Sequence, residues 1–144
     1  MPTRFIKPEE THALRHSVLR PLQALDEMEW PMDRDEKSFH IGQEEQGALV
    51  SVASFLRERN DRLRGWIQYR VRGMATAPAF QGQGLGSLVL RFGLEQVRHR
   101  KADLVWCHAR ERATAFYVRE GFRTEGEAFL VTGIGIHHLM YLRL

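Results

Sequence analysis

The chain has little of what marks secreted, membrane-bound or strongly charged proteins. Its single cysteine, Cys107, excludes an internal disulfide framework and permits a reducing compartment. No apolar run approaches the roughly 20 residues that a membrane helix needs, and the N-terminus lacks the apolar core of a signal peptide. We therefore expect a cytoplasmic protein that makes no contact with membranes.

Neither positive nor negative residues strongly predominate. The 144 residues hold 21 Lys and Arg against 18 Asp and Glu, a formal net charge of +3, and the basic residues are scattered. This balance suits a polyanionic cofactor as well as nucleic acid. No arginine-rich helix or aromatic platform supports nucleic-acid binding, so we expect none. With 43% hydrophobic residues, the chain is long enough for a single domain, residues 1–144, with a packed core.

The most informative stretch is a glycine-rich segment between a predicted strand and a predicted helix. The strand is expected over residues 66–76, a break follows at Pro78, and QGQGLG at residues 81–86 leads into the helix. Free backbone N–H groups at the positive end of a helix attract phosphate, and glycine lets phosphate approach the main chain. The alternative interpretation is a tight strand-to-helix turn without a ligand.

Spacing excludes two common nucleotide-binding motifs here. The dinucleotide fingerprint would need a glycine at Ser87 or Val89, and the P-loop needs a lysine that this segment lacks. The pattern that fits is Gln-x-x-Gly-x-Gly. At this point the chain resembles the GNAT superfamily of acyl-CoA-dependent N-acyltransferases, in which this motif cradles the pyrophosphate of coenzyme A.

A second motif strengthens the resemblance. Residues 115–122 read AFYVREGF, which is similar to the second GNAT signature, Ala-Phe-Tyr-x-x-x-Gly-Phe. The short apolar run at residues 104–107, between the two motifs, predicts a buried parallel strand. Two motifs in this order are far more specific than either alone. The resemblance covers residues 66–122 and, more loosely, the whole chain.

The order of the predicted elements gives an α/β fold. Strands and helices are expected as follows: a strand at 3–6, a helix starting near Pro8, a hairpin from 39–42 and 49–56, a helix at 111–120, and closing strands at 129–132 and 136–144. The resemblance implies a mixed, mostly antiparallel sheet with a central splayed pair of parallel strands, flanked by helices on both faces.

Acetyl-CoA, bound through its coenzyme A portion, is the cofactor that the resemblance implies. The pyrophosphate would contact the glycine loop, and the pantetheine arm would pair with the neighbouring strand edge. The residues implied to bind it are Met74, Ala75, Thr76, Gln81, Gly82, Gln83, Gly84, Leu85, Gly86, Ser87 and Phe116. No metal is expected, because His12 and His16, spaced i, i+4, have no third ligand beside them.

Tyr117 is the candidate general acid. A phenol with a pKa of about 10 is protonated at neutral pH and can donate to a departing thiolate, whose parent thiol has a pKa of about 8.5. The resemblance implies this role for a tyrosine at this helix position. The alternative interpretation is a core tyrosine beside Phe116.

The proton acceptor departs from the family pattern. Many GNAT proteins carry a glutamate on the strand before the glycine loop, where this chain offers Gln68, Arg70 and Arg72. His108, at the end of the next strand, is the candidate base because imidazole titrates near neutral pH. The alternative is that His108 orders the cofactor or the splayed strands by hydrogen bonding. Further candidates near the end of the chain are Glu127, His137 and His138.

The predicted function is N-acetyl transfer from acetyl-CoA to a small-molecule amine by direct attack, and a homodimer is compatible with it. The alternative is a non-catalytic acyl-CoA-binding sensor. Residues 23–37 hold six carboxylates around Trp30, and they form either a solvated connection or a flap that attracts a cationic amine. On the second interpretation, Trp30 forms an apolar wall for the acceptor. His137, near the end of the chain, is a separate candidate for binding the acceptor.

Overall fold

Seven strands form one sheet in the computed structural model, which describes residues 3–144. In chain order they are β1 (Thr3–Ile6), β2 (Phe39–Glu45), β3 (Ala48–Leu56), β4 (Gln68–Thr76), β5 (Leu104–Arg110), β6 (Arg123–Val131) and β7 (Gly135–Arg143). Across the sheet the order is β1-β2-β3-β4-β5-β7-β6, and every neighbouring pair is antiparallel except β4 and β5. The predicted fold class is confirmed.

Helices cover both faces of this sheet. The N-terminal helical segment comprises a 3-10 turn (Pro8–Thr11), the α-helical turn α1 (His12–Leu14) and a π-helical turn (Arg15–Leu19). The other face carries α2 (Leu85–His99) and α3 (Thr114–Arg119), the latter preceded by a 3-10 turn (Glu111–Ala113). Short 3-10 turns also occur at Leu25–Glu27 and Pro78–Phe80. Among residues 3–144, no helix is long and apolar enough to cross a membrane.

The main core lies between the sheet and α2. Val89, Leu90, Leu94 and Val97 recur at helical spacing on one side of α2 and are buried against the strands. A Cβ atom at Gly93 would overlap the ring of Phe55, so glycine at this position lets the helix approach β3. A smaller apolar cluster on the opposite face of the sheet holds the N-terminal helical segment.

The parallel pair separates early. β4 and β5 are paired only over Gln68–Leu104, Tyr69–Val105 and Arg70–Trp106, although β4 continues to Thr76 and β5 to Arg110. The rest of β4 therefore has no hydrogen-bonding partner on its β5 side, which is the splay that the resemblance implied.

A bulge at Gly73, with φ of +68°, interrupts the alternation of side chains along β4. Before it, Val71 faces the main core under α2; beyond it, Met74 faces that same core and Ala75 the opposite cluster. Strict alternation would have placed Met74 with Arg72, so the sequence pattern alone gives the wrong face for the end of this strand.

Several boundaries differ from the sequence-based expectation. The hairpin turn is only two residues long, because Gln46 and Gly47 both have positive φ, at 54° and 80°, and β2 runs on to Glu45. β4 begins at Gln68, and Trp66, expected within it, is 89% exposed. β6 begins at Arg123, six residues before the strand predicted at Phe129.

Candidate active site

A cleft of about 940 Å³ opens where β4 and β5 separate. Its walls come from the end of β4, the glycine loop, the end of β5, α3, the N-terminal helical segment, Trp30 and His137. Ligands of open α/β sheets bind beyond the carboxyl ends of parallel strands, and this cleft lies at that place.

The glycine loop presents unpaired main-chain amides to the cleft. Gly82 and Gly84 have φ of +78° and +79°, which glycine adopts without strain, and a Cβ atom on either would meet nothing within 4 Å. In the described part of the chain, no amide of residues 82–87 donates to a main-chain carbonyl oxygen. The Gln81 side chain donates to the carbonyl oxygen of Thr76 at 2.9 Å and so ties the loop to β4. An anion can accept hydrogen bonds from these amides at the positive end of α2.

The predicted strand residues lie directly beside this loop. Met74, Ala75 and Thr76 line the cleft, and the hydroxyl oxygens of Thr76 and Ser51 lie 2.8 Å apart. Because the β5 side of this stretch is unpaired, an extended molecule with amide groups can bind along it as an extra strand.

Helix α3 brings two aromatic side chains to the same cleft. Phe116 lies close to Gly86, where a Cβ atom would be 3.7 Å from its Cε1 atom. Tyr117 is 5% exposed and packs edge-to-face on Phe116 and Phe122, each at 5.1 Å between ring centroids. Burial raises the pKa of Tyr117 well above its ordinary value, so its hydroxyl is protonated at neutral pH.

Ser87 makes a structural contact between the two helices. Its hydroxyl donates to the Glu120 carboxylate at 2.7 Å, and Arg91 pairs with the same carboxylate at 2.9 Å. The Ser87 side chain thus holds α2 against the end of α3. Its main-chain amide is one of the unpaired amides that follow the glycine loop.

His108 reaches the cleft from the end of β5. Its ring packs on Trp106 and Phe129, at 5.1 and 5.0 Å between centroids, and its Nδ1 atom lies 3.4 Å from an Arg70 nitrogen. Burial lowers the pKa of His108 to about 4, helped by the positive charges of Arg70 and its other neighbours. The imidazole is therefore neutral at neutral pH.

Trp30 forms the wall of the cleft opposite α2. Its ring packs on the backbone bulge, because a Cβ atom at Gly73 would lie 3.0 Å from its Cζ3 atom. Guanidinium carbons of Arg15, Arg72 and Arg20 lie 4.0, 4.3 and 5.2 Å from the ring centroid, within cation–π distance. His137 lines the same cleft, with Nδ1 2.9 Å from the carbonyl oxygen of Gly135.

Comparison with known proteins identifies the family. The sequence model of the family described as "Acetyltransferase (GNAT) domain" matches residues 4–143. The chain belongs to the GNAT family. A relative from Bacillus subtilis, the uncharacterized N-acetyltransferase YitI, is 35% identical over 141 residues, which cover 98% of this chain and 95% of the relative. The predicted enzyme class, an acetyl-CoA-dependent N-acetyltransferase, is confirmed at the level of this family.

Solved structures share the GNAT fold over nearly the whole chain. Escherichia coli ElaA superposes with a TM-score of 0.77 at 19% identity, covering 96% of this chain and 97% of its own. An aminoglycoside 6′-N-acetyltransferase complexed with coenzyme A gives a TM-score of 0.78 at 10% identity, covering 99% and 97%. At these identities the likeness establishes the fold.

One feature beside the cleft was not predicted from the sequence, a buried ion pair beneath Trp30. Two Arg15 nitrogens lie 2.6 and 2.9 Å from the two Asp33 carboxylate oxygens, and both side chains are fully buried. The Trp30 amide donates to Asp33 at 2.8 Å, and Arg15 also donates to Ser54 at 2.7 Å. His40 lies 2.6 Å from the Ser54 hydroxyl and completes this network. No local sequence pattern marks a pair 18 residues apart.

The acidic segment therefore has another role than attracting a cationic amine. Asp33 is turned inward to Arg15, Glu29 pairs with Arg34 on the surface, and none of the six carboxylates of residues 23–37 lines the cleft. Trp30 is the residue of this segment that does.

Two of the alternative bases also lie elsewhere. His138 faces Glu111, with Nε2 3.5 Å from a carboxylate oxygen, and Glu127 is exposed on β6. Neither side chain lines the cleft, whereas His108 and His137 do.

Proposed function

We propose that this GNAT enzyme transfers an acetyl group from acetyl-CoA to the amine of a small molecule by direct attack. One observation carries the proposal: the unpaired amides of residues 82–87 and the unpaired edge of β4 open onto the cleft that Tyr117 and His108 also line. Two sets of unpaired main-chain groups that can bind acetyl-CoA and two side chains that can transfer protons therefore line the same cleft.

The end of β4 and the glycine loop, residues 74–87, form one wall of the cleft, which we call the donor wall, and its residues suit the parts of acetyl-CoA. Main-chain amides of Gly82–Ser87 would hold the pyrophosphate, and no carboxylate among the described residues lines the cleft to repel it. The edge formed by Met74, Ala75 and Thr76 would pair with the amides of the pantetheine arm. Acetyl-CoA supplies the acetyl group as an activated thioester.

Tyr117 is the proposed general acid. As the acceptor nitrogen bonds to the acetyl carbon, the carbon–sulfur bond breaks, and its electron pair remains on sulfur. The Tyr117 hydroxyl donates its proton to that sulfur, and the tyrosine regains a proton from solvent after release. The high pKa of Tyr117 keeps this proton in place until the leaving group develops charge.

His108 is the proposed acceptor of the proton that the amine must lose. Its low pKa makes it a weak base in the protein alone, so transfer is favourable only as nitrogen becomes cationic during carbon–nitrogen bond formation. The neutral imidazole is ready for that proton at any pH well above 4, directly or through one water molecule.

Thiol release tests the proposal. Purified protein is mixed with acetyl-CoA and a panel of amines, free coenzyme A is measured with a thiol reagent, and the acetylated amine is identified by mass spectrometry. We expect release that depends on the amine and equals product in amount. A sensor would bind acetyl-CoA in calorimetry yet release no thiol with any amine, and that result would contradict the proposal.

A further inference from the structure

Three of the arginines that line the cleft, Arg20, Arg70 and Arg72, stack on Trp30 or Trp106 on the side opposite α2, and one of the three pairs with a carboxylate. Arg70 lies 3.4 Å from Glu58, while Arg20 and Arg72 have no carboxylate within 4.0 Å among residues 3–144. The nearest other ion pair, between Arg15 and Asp33, is complete in itself. Positive charge thus exceeds negative charge on this wall.

These guanidinium groups are also poorly supplied with hydrogen-bond acceptors. Within the described chain, the Nε atoms of Arg20 and Arg70 are buried without a partner, and Arg72 makes no side-chain hydrogen bond. Burial, together with the charges of Arg70, Arg20 and Arg15, lowers the pKa of Arg72 to about 10, which still leaves it charged at neutral pH. Charges that are half removed from water without a counter-charge are costly, and such an arrangement is typical of a site whose counter-charge arrives with a ligand.

The phosphates of coenzyme A are badly placed to supply that counter-charge. Arg72 precedes Thr76 by four residues, about 13 Å along a strand, and the glycine loop lies beyond Thr76. Val71 faces α2, so its neighbour Arg72 projects to the opposite face, where it stacks on Trp30. The glycine loop, in contrast, leads into α2 itself.

We propose that the acceptor is a small amine that also carries an anionic group, a carboxylate or a phosphate, which Arg72 and Arg20 bind beside Trp30. This inference rests on the proposed function, because it takes the opposite wall as the donor site. The planar guanidinium group can bind either anion through two parallel hydrogen bonds. The Trp30 ring, held by Gly73 and Arg15, fixes where the guanidinium groups lie.

The position of the arginines favours a compact acceptor. Arg70, the neighbour of Arg72 on this face of β4, lies 3.4 Å from His108, so the anion and the reacting amine would be close together. A polycationic acceptor such as an aminoglycoside would meet positive charge without a carboxylate to bind it.

Matched acceptor pairs test this inference. The twenty amino acids are compared with their α-amides for carboxylate, phosphoethanolamine with ethanolamine for phosphate, and an aminoglycoside serves as the polycation. Because hydrogen bonds to a charged group are strong, kcat/KM for the anionic acceptor should exceed kcat/KM for its neutral partner by about 10- to 100-fold. The pair that shows the larger ratio identifies carboxylate or phosphate as the preferred group.

Arg72→Gln shows whether the arginine causes this preference. We expect kcat/KM for the anionic acceptor to fall by about 10- to 100-fold, mostly through KM, with the neutral partner and acetyl-CoA affinity little changed. Arg98→Gln, an exposed site on α2 outside the cleft, is the matched control and should change neither.

The outcomes separate the two proposals. If neutral amines react as well as their anionic partners, or if Arg72→Gln slows both members of a pair equally, the inference is wrong and the proposed acetyl transfer stands. If acetyl-CoA binds but no amine of the panel releases thiol, the proposed function is wrong and the inference falls with it.

Discussion

We propose that the two walls of the cleft recognise their ligands by different means. The donor wall uses main-chain groups from one continuous stretch, residues 74–87, where glycines and a strand edge expose amides. The proposed acceptor wall is lined by side chains from four separate segments: Arg20, Trp30, Arg70 with Arg72, and His108. Main-chain recognition depends on backbone conformation, which constrains residue type locally. Side-chain recognition depends on which distant residues the fold brings together.

The largest expected effect comes from filling the donor wall. Gly84→Glu places a side chain at a backbone φ of +79° and a negative charge where the pyrophosphate is proposed to bind. We expect no measurable binding of coenzyme A by calorimetry in a variant that remains folded.

Gly47→Glu is the control for this change. Gly47 has nearly the same φ, +80°, and equally open surroundings, but it lies in the hairpin turn and outside the cleft. It should carry similar backbone strain and bind coenzyme A normally. Ordinary affinity in folded Gly84→Glu would show that the loop does not hold the phosphates.

Removing the proposed acid should affect rate without affecting donor binding. Tyr117→Phe keeps the aromatic packing on Phe116 and Phe122 and deletes only the hydroxyl, so kcat should fall by about 10²- to 10⁴-fold. Titration calorimetry should give an unchanged acetyl-CoA affinity.

Tyr69→Phe is the matched control for the lost hydroxyl. Tyr69 is buried in the same core and donates to the carbonyl oxygen of Lys37 at 3.0 Å, but it does not line the cleft. Its loss should lower stability by about 1 kcal/mol and leave kcat unchanged. Equal turnover by Tyr117→Phe and the wild type would remove Tyr117 from the acid role.

The same contrast explains what the sequence could predict. Glycine spacing and the Ala-Phe-Tyr motif are local signals. The resemblance that they carry predicted the family and the fold, which are confirmed, and the surfaces of the donor wall, which stay a prediction. The Gly73 bulge left no such signal, so the face of Met74 was not predictable from alternation. Arg15 and Asp33 escaped because charged residues are almost never fully buried, and a solvated position was the better prior for both.

The acceptor wall should depend on this buried ion pair more than the donor wall does. Asp33→Asn leaves the Arg15 guanidinium buried without its counter-charge, which should lower the free energy of unfolding by about 3–5 kcal/mol. Because Asp33 also holds the Trp30 amide, KM for the acceptor should rise while acetyl-CoA affinity changes little. Denaturant unfolding and steady-state kinetics measure the two effects.

Glu29→Gln provides the exposed counterpart. Glu29 pairs with Arg34 on the surface, where solvent screens the interaction, so neither stability nor acceptor KM should change measurably.

Burial alone would raise the pKa of Asp33, but hydrogen bonds from Arg15 and the Trp30 amide hold this pKa below its ordinary value. The contribution of Asp33 is therefore complete at neutral pH and is lost only as the pH falls through that lowered pKa. Equal stability of both variants would contradict the structural role of Asp33.

The smallest expected effect is a change in the titration of His108. Burial and the charges of Arg70, His137, Arg72 and Arg62 lower its pKa to about 4. An anion bound to Arg72 offsets part of this repulsion, so the His108 pKa should rise by about one unit with the preferred anionic acceptor. NMR of labelled histidine, assigned with His108→Asn, measures it.

Coenzyme A is the control ligand for this titration, because its phosphates are proposed to lie on the other wall. It should not reproduce the rise in the His108 pKa.

The low pKa of His108 also predicts a pH dependence of stability. Between pH 4 and about 6.5 this residue binds more protons in the unfolded chain than in the folded one, so it makes the free energy of unfolding rise with pH across that window. His108→Asn should flatten the rise. A His108 that titrates near 6.5 in the protein alone would mean that neither burial nor the arginines of the acceptor wall lower its pKa, and the contrast between the two walls would lose its electrostatic basis.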